Sequence, residues 1–251
     1  MLKNALEMMG FGLQATDGEI GSVKDIYFDD ETWAVQYFVA DTGGWLTGRK
    51  VLLSPQSVDK PDFEEGLLPV SLSRKQIEDS PPIDEDQPVS RRAQSQLGAY
   101  YNWGAYWAGA LGAGQAGAPL SPPGQSADEA AQEAAPETEA DIHLRSLREV
   151  IGYTIQAKDG EIGQVSDFMI QVDEWALRYM VVGTRKWLPG RKVLVSPAWI
   201  KELDWLQAHV VVDLPLDSIR NAPEFDPSAP PQREYEARLH KHYGLPGYWA
   251  G

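Results

Sequence analysis

The spacing of apolar residues near the start of the chain predicts short β-strands rather than long helices. Between Glu19 and Asp29 the apolar positions change phase around Gly21, which is typical of a strand with a bulge or a sharp bend; they are Ile20, Val23, Ile26 and Phe28. The preceding Asp17-Gly18 dipeptide is one that tight hairpin turns accept. We therefore predict a strand, a hairpin turn and a second strand over the first thirty residues.

Three further segments have the composition of strands. They are rich in β-branched, aromatic or aliphatic residues and lie at Trp33 to Ala40, Arg49 to Leu53 and Leu67 to Leu72. A helical turn is predicted next, with Ser73 as its N-cap and Pro81-Pro82 as its end. Five or six short strands separated by turns indicate a mainly β fold, either a small barrel or a sandwich.

The same pattern occurs twice, at a fixed offset of 142 residues. Residues 14–21 recur as 156–163 and residues 45–52 as 187–194, and no gap is needed to align the copies. The second copy has its own candidate strands and helical turn, at Trp175 to Val182, Arg191 to Val195, Val210 to Leu214 and Ser218 to Asn221. The chain is therefore one module in two copies.

The offset also extends beyond the predicted barrels. Tyr106 to Gly109 returns as Tyr248 to Gly251, and a short helix is predicted before each aromatic tail, best seen over Arg233 to His240. The segment 110–141 is mostly Ala, Gly, Pro, Ser and acidic residues, which predicts a flexible linker. The predicted domains are a first barrel (1–85), a first helix and tail (86–109), the linker (110–141), a second barrel (142–227) and a second helix and tail (228–251).

Composition removes several function classes. The net charge of -15 disfavours nucleic acid and anionic lipid as partners. The absence of cysteine excludes disulfides and thiolate chemistry. The longest apolar stretches have the length of strands and the first residues do not form a secretion signal, so we expect a soluble cytoplasmic protein.

Certain residues carry a resemblance to a known family. In the first copy they are Asp17 to Gly21, Asp25, Trp33, Tyr37 to Leu46 and Gly48 to Pro55; in the second they are Asp159, Gly160, Ile162, Gly163, Asp167, Trp175, Tyr179, Trp187 and Gly190 to Pro197. Each copy resembles the PRC-barrel domain, the small β-barrel of the cytoplasmic part of the photosynthetic reaction centre H subunit, also found in the ribosome maturation factor family. The resemblance covers roughly Leu2 to Asp84 and Leu144 to Asp226, and the chain is similar to bacterial tandem PRC-barrel proteins. It implies a non-enzymatic module that docks onto partner proteins, sometimes tuning electron or proton transfer in a complex.

Two groups of residues are candidates for chemistry. Carboxylates near the hairpin turns could form a hydrolase pair or a hard-cation site, but turn or surface roles explain them better; they are Asp17, Glu19, Asp25, Asp159, Glu161 and Asp167. The spacing of His240 and His242 suits neither a zinc helix nor a catalytic triad, so we expect a solvated helix end. We predict no catalytic residue, no metal site and no cofactor.

Aromatic residues are the better candidates for contacts with a partner. Trp45 beside Arg49 and Trp187 beside Arg191 are either interface anchors or caps of the barrel end. The loop 41–50 is either an anion cradle or a turn between strands, and we favour the turn. The tail candidates pack on their own barrel, on the other copy, or on a partner or membrane surface; they are Tyr101, Trp103, Tyr106, Trp107, Tyr243, Tyr248 and Trp249.

These observations predict a non-catalytic protein-interaction or assembly module. The alternative is an accessory protein of a photosynthetic reaction centre or another electron-transfer complex at the cytoplasmic membrane face. Association with RNA or the ribosome is disfavoured by the charge. The partner is a protein of unknown identity, and both pairing of the two barrels and a homodimer stay open.

Overall fold

A computed structural model describes residues 1–43, 50–81, 91–101, 144–184 and 191–249, with only the backbone for 91–95. These residues group into two compact units. The first-repeat unit comprises Gly12–Leu144, and the second-repeat unit comprises Met1–Phe11 together with Arg145–Gly251. Each unit is described on its own below.

The described residues of the first half of the chain form six strands and three helices. In chain order they are β1 (Leu2–Asn4), α1 (Ala5–Met8), β2 (Gly12–Ala15), β3 (Gly18–Asp29), β4 (Val35–Asp41), β5 (Lys50–Leu53), β6 (Leu67–Pro69), α2 (Arg74–Glu78) and α3 (Arg91–Tyr101), with a 3-10 turn at Pro55–Ser57. The predicted capping of α2 is confirmed, because the Ser73 hydroxyl accepts from the Gln76 N–H while the Gln76 side chain accepts from the Ser73 N–H.

The second half repeats almost every element at the same offset. Its elements are β7 (Leu144–Ser146), α4 (Leu147–Val150), β8 (Thr154–Ala157), β9 (Gly160–Gln171), β10 (Ala176–Gly183), β11 (Lys192–Val195), β12 (Ile200–Asp204), β13 (His209–Val212), α5 (Leu216–Arg220) and α6 (Arg233–Tyr243), with a 3-10 turn at Pro197–Trp199. Strand β12 has no counterpart strand in the first repeat, where the corresponding described residues make the isolated bridges Val58↔Val70 and Asp62↔Leu67. The module is therefore repeated in structure as well as in sequence.

Both units contain a sheet of the same order. In the first-repeat unit the strands run β5-β4-β3-β2-β6, and in the second-repeat unit they run β11-β10-β9-β8-β13-β12, with β1 paired to β9. Neighbouring strands are antiparallel except for β2 with β6 and β8 with β13, which are parallel. Registers correspond as well, since Phe38 faces Leu53 and Met180 faces Val195. The predicted mainly β fold is confirmed.

A bend in the long strand of each repeat depends on glycine. Gly21 has φ of 119°, and a Cβ atom there would lie 1.9 Å from the Asp41 carbonyl oxygen. At Gly163 the same atom would lie 2.0 Å from the Gly183 carbonyl oxygen. Register shifts beside these positions show that β3 and β9 bend where the sequence predicts a bulge. Close backbone approach therefore requires glycine at both sites.

Strand β4 is buried at every position from Val35 to Ala40. A strand with one solvated face would alternate between buried and exposed positions, so both faces of β4 are covered. Residues such as Phe38 fill the interior, whereas Tyr37 and Val39 pack beneath Leu97 of α3. Full burial of one such leucine contributes on the order of 2 kcal/mol to stability.

The structure groups the start of the chain differently from the predicted domains. The sequence predicts that residues 1–85 form one barrel, but Met1–Phe11 belongs to the second-repeat unit. The physical reason is that β1 pairs with β9 through three residue pairs. The predicted linker (110–141) and most of the first aromatic tail lie outside the described residues.

Candidate interaction surface

The helix that follows each sheet covers the outward face of the strands β4 or β10. In the first-repeat unit, Leu97 of α3 packs on Tyr37, Val39 and Leu52, and partly buried apolar residues surround this contact; they are Tyr27, Tyr101 and Leu144. Tyr37 lies so deep in this cluster that burial raises its pKa to about 12. The helix therefore closes a face that the sheet alone would leave open to water.

A polar contact at the same place in each repeat fixes the helix against the preceding short helix. The Tyr100 hydroxyl donates to the Gln76 carbonyl oxygen at 3.0 Å. At the corresponding position His242 Nε2 lies 2.8 Å from the Ser218 carbonyl oxygen, to which it donates. Because the side chains differ while the contact is kept, the docking of the helix is a property of the module.

The second repeat has a polar cluster beneath its helix, defined by Tyr179, Glu236, His240 and Tyr248. The Tyr179 hydroxyl lies 3.0 Å from both Glu236 Oε1 and His240 Nε2, and the Tyr248 hydroxyl donates to Glu236 Oε1 at 2.8 Å. Arg233 forms an ion pair with Glu236 Oε2 at 3.2 Å. Glu236 is only 3% exposed and His240 5% exposed. Buried polar groups need such partners, since an unpaired one is costly.

The protonation of His240 follows from its two partners. Nδ1 lies 2.8 Å from the Pro246 carbonyl oxygen, which can only accept, so Nδ1 carries a hydrogen. Burial lowers the pKa of His240, so the neutral ring prevails and its Nε2 accepts. Tyr179 has one hydrogen to share between this nitrogen and Glu236 Oε1, and burial raises the pKa of its hydroxyl. The expectation of a solvated helix end is therefore wrong for His240, although His242 is exposed.

The end of the second aromatic tail folds back onto this helix. The ring centroids of Trp199 and Tyr243 are 4.4 Å apart, and those of His240 and Trp249 are 4.9 Å apart. The Arg178 guanidinium lies 4.4 Å from the centroid of Tyr248. Tyr243 and Tyr248 thus contact their own repeat, while Trp249 remains 38% exposed.

Comparison with known proteins agrees with this architecture. Residues 13–68 match the PRC-barrel domain. The matched range runs from β2 through the start of β6 and so contains most of the first-repeat sheet. The resemblance predicted from the sequence is confirmed for this repeat.

A bacterial relative shares part of the sequence. It is an uncharacterised protein of Deinococcus radiodurans, 33% identical over 89 residues that make up 31% of this chain and 32% of the relative. The chain therefore spans about a third of the length of that protein. Among the residues that the structure describes, no helix is long and apolar enough to cross a membrane.

Most of the predicted partner-binding residues around the PRC-barrel lie outside the described residues; these are Trp45, Arg49, Trp187, Trp103, Tyr106 and Trp107. Arg191 is described, and its guanidinium donates to the Ala222 carbonyl oxygen. Tyr101 is half-buried against the Leu97 cluster. The structure therefore packs Tyr248 and Trp249 against each other and against Arg233 at the start of α6, whereas Tyr243 at the end of α6 packs on Trp199. It places Arg191 in an internal contact.

The carboxylates near the hairpins hold the beginnings of helices. Asp17 Oδ1 accepts from the first N–H of α2, on Arg74, at 2.7 Å, and Asp159 Oδ1 accepts from Leu216 in α5 at the same distance. Asp167 Oδ1 accepts from Leu6 in α1 at 3.0 Å. Since burial raises the pKa of Asp167 and the residue is 9% exposed, a turn or surface role is wrong for it. The acids serve as caps for helices that are distant in sequence.

Sequence reasoning missed the most exposed large apolar residue of the part of the chain that the structure describes, Leu206, at the tip of the β12–β13 hairpin. Its side chain is 100% exposed. The adjacent Trp205 is held by the Arg145 guanidinium, 4.2 Å from its ring centroid, and by an edge contact with Tyr153. At the 142-residue offset the first repeat has Glu64 in place of Leu206. That replacement of an acid by leucine was the signal that could have identified it.

Proposed function

We propose that this chain is a non-catalytic protein-interaction or assembly module. The observation that carries the proposal is the use of its acidic and titratable side chains to join separate segments. Asp17, Asp159 and Asp167 hold helix N-termini. Glu236 accepts from Tyr248, and His240 donates to the Pro246 carbonyl oxygen, so these two residues hold the aromatic tail. Groups engaged in this way contribute to the fold instead of facing a substrate.

The family of the first repeat supports the same conclusion. PRC-barrel domains often mediate protein interactions and are generally non-catalytic. In the second-repeat unit a strand from a distant part of the chain, β1, pairs with the part of β9 that extends beyond the pairing of β9 with β8. Addition of a strand to a sheet edge is a common mode of protein association. The pairing of β1 with β9 within this chain is therefore a contact of the same kind as strand addition between separate chains.

Leu206 is the point on this module where we place the partner contact. An apolar side chain that is fully exposed at a hairpin tip gains most when a partner pocket removes it from water. Trp205 supports the tip from behind through Arg145 and Tyr153. The first-repeat tip has glutamate at the equivalent position, so we assign the contact to the second repeat.

Quantitative co-purification tests this function with a matched pair of variants. Leu206→Glu installs the first-repeat residue, and Gln207→Glu adds the same charge to the exposed neighbour, whose first-repeat counterpart is Glu65. Tagged full chain and both variants are incubated with cytosol and native membranes of the source cells. We expect one protein partner to be recovered stoichiometrically with wild type and Gln207→Glu, and about tenfold less with Leu206→Glu, as for loss of an interface anchor.

The remaining outcomes distinguish the alternatives. Recovery of pigment-protein complexes would favour the accessory of an electron-transfer complex, and recovery of ribosomal subunits would favour the RNA-associated role. Equal recovery by all three proteins would exclude Leu206 as the anchor. No stoichiometric partner, together with a turnover that disappears in Asp17→Ala or Asp159→Ala, would overturn the non-catalytic function.

A further inference from the structure

The first residues of the chain form an added strand on the second repeat. Strand β1 runs antiparallel to β9 in the register Leu2↔Gln171, Lys3↔Ile170 and Asn4↔Met169. The Val172 N–H extends this ladder by donating to the Met1 carbonyl oxygen at 3.0 Å. These are main-chain contacts, so they require a strand but no particular side chain.

Specificity comes from the helical turn that follows. Ala5 and Met8 of α1 are completely buried, and Leu2 of β1 is buried beside them. The Asp167 carboxylate accepts from the Leu6 N–H, and the Asn4 side-chain amide donates to the Pro227 carbonyl oxygen at 3.3 Å. We call Leu2–Met8 the donor segment, and β9 with Asp167 and Pro227 the acceptor site.

The donor segment and the acceptor site come from different repeats. The boundary between the two compact units falls between Phe11 and Gly12, and only Met9, Gly10 and Phe11 separate it from the donor segment. Gly10 precedes this boundary with φ of 99°, a left-handed conformation that favours glycine. The acceptor site thus binds a segment, the arm, that precedes the first repeat in sequence and pairs with a strand of the second repeat. Every copy of the chain carries the same arm.

We propose that the acceptor site also binds the donor segment of a second copy of this chain, so that two chains join by exchanging Leu2–Met8. The inference deepens the proposed assembly function and rests on it for its biological meaning. Exchange of an identical element between protomers is a low-cost route to dimers, because each contact is made in both states. The equilibrium between the closed monomer and the exchanged dimer therefore depends on chain concentration, because the dimer is favoured as that concentration approaches the effective concentration of the arm within its own chain, roughly millimolar for a short linker.

Disulfide trapping tests the exchange, because the natural chain has no cysteine. Full-length Leu2→Cys carries a small tag and full-length Gln171→Cys a large one, so a mixed disulfide dimer is recognised by mass. Paired residues on neighbouring antiparallel strands have a spacing that permits a disulfide. The mixture is unfolded, refolded together at several concentrations and oxidised. Lys201→Cys replaces Gln171→Cys in the control, since this exposed residue lies on β12, three strands from β9.

We expect the mixed dimer to increase with chain concentration and to exceed the Lys201→Cys control by about tenfold, because only the acceptor site holds the two sulfurs in register. The double variant Leu2→Cys/Gln171→Cys should form its disulfide within one chain at low concentration. A mixed dimer no more abundant than the control would overturn the exchange, and a double variant that forms no internal disulfide would overturn the acceptor site itself. Purified protein suffices, so the result is independent of the co-purification that tests the proposed function.

Discussion

At position 240 a single residue changes how the helix of the second repeat is held. The first repeat has Gly98 at the equivalent position and Gln94 in place of Glu236, so its sequence cannot build the same buried polar cluster. His240 faces Glu236 on its own helix, Tyr179 on β10 and the Pro246 carbonyl group of the tail. The residue therefore links the helix, the sheet and the returning tail.

This cluster predicts a dependence of stability on pH. Burial lowers the pKa of His240 from its ordinary 6.5, so the unfolded chain binds a proton more readily than the folded chain. The contribution of neutral His240 to the free energy of unfolding is complete above about pH 6.5, and it is lost as the pH falls from that value through the lowered pKa of the folded state. For one proton, the free energy of unfolding then changes by at most about 1.4 kcal/mol per pH unit. We expect His240→Gln to flatten the decline of melting temperature between about pH 7.5 and pH 5, measured by circular dichroism. His242→Gln, on the exposed side of the same helix, is the control; an equal flattening there would contradict the assignment.

At the scale of elements, three short helices, α1, α2 and α5, have an N–H of their first turn bound by an acid that lies far away in sequence. A four-residue helix such as α1 cannot be stable alone, because nucleation of a helix is unfavourable. Asn4, at its N-cap, makes no side-chain capping bond, and Asp167 accepts from the helix instead. The helix therefore depends on its docking to β9.

Replacing this acid tests that dependence. We expect Asp167→Ala to lower the free energy of unfolding by about 1 kcal/mol, as for removal of a helix cap. Asp167→Asn should remain close to wild type, because asparagine caps helices about as well as aspartate and avoids burying a charge. Chemical denaturation of the full chain measures both. An Asp167→Ala protein as stable as wild type would show that the desolvation of the carboxylate offsets its hydrogen bonds.

The sequence predicted the elements that local patterns determine. The hairpin turn before Gly18, the bend at Gly21 and the cap at Ser73 each depend on residues close in sequence, and each is observed, although the turn residues are Thr16 and Asp17 while Gly18 already pairs with Ala15. The parallel pairing of β2 with β6 and the docking of β1 on β9 join distant segments. The local pattern of a three-residue strand such as Leu2–Asn4 does not predict which distant strand it pairs with. His240 was assigned to solvent for the same reason, because its burial depends on Tyr179, 61 residues away.

At the scale of the whole molecule, the start of the chain is tied to the stability of its second half. We expect deletion of residues 2–9 to leave β9 without its added strand and to expose the apolar surface that covers Ala5 and Met8. Hydrogen exchange should then accelerate in Gln164–Gln171 of β9, while Gly12–Ala15 of β2 keeps its protection. As control, Glu7→Gln alters only an exposed side chain of the donor segment and should exchange like wild type. Loss of protection in β2 with β9 unchanged would contradict this arrangement, since the arm would then stabilise the repeat to which it is joined in sequence.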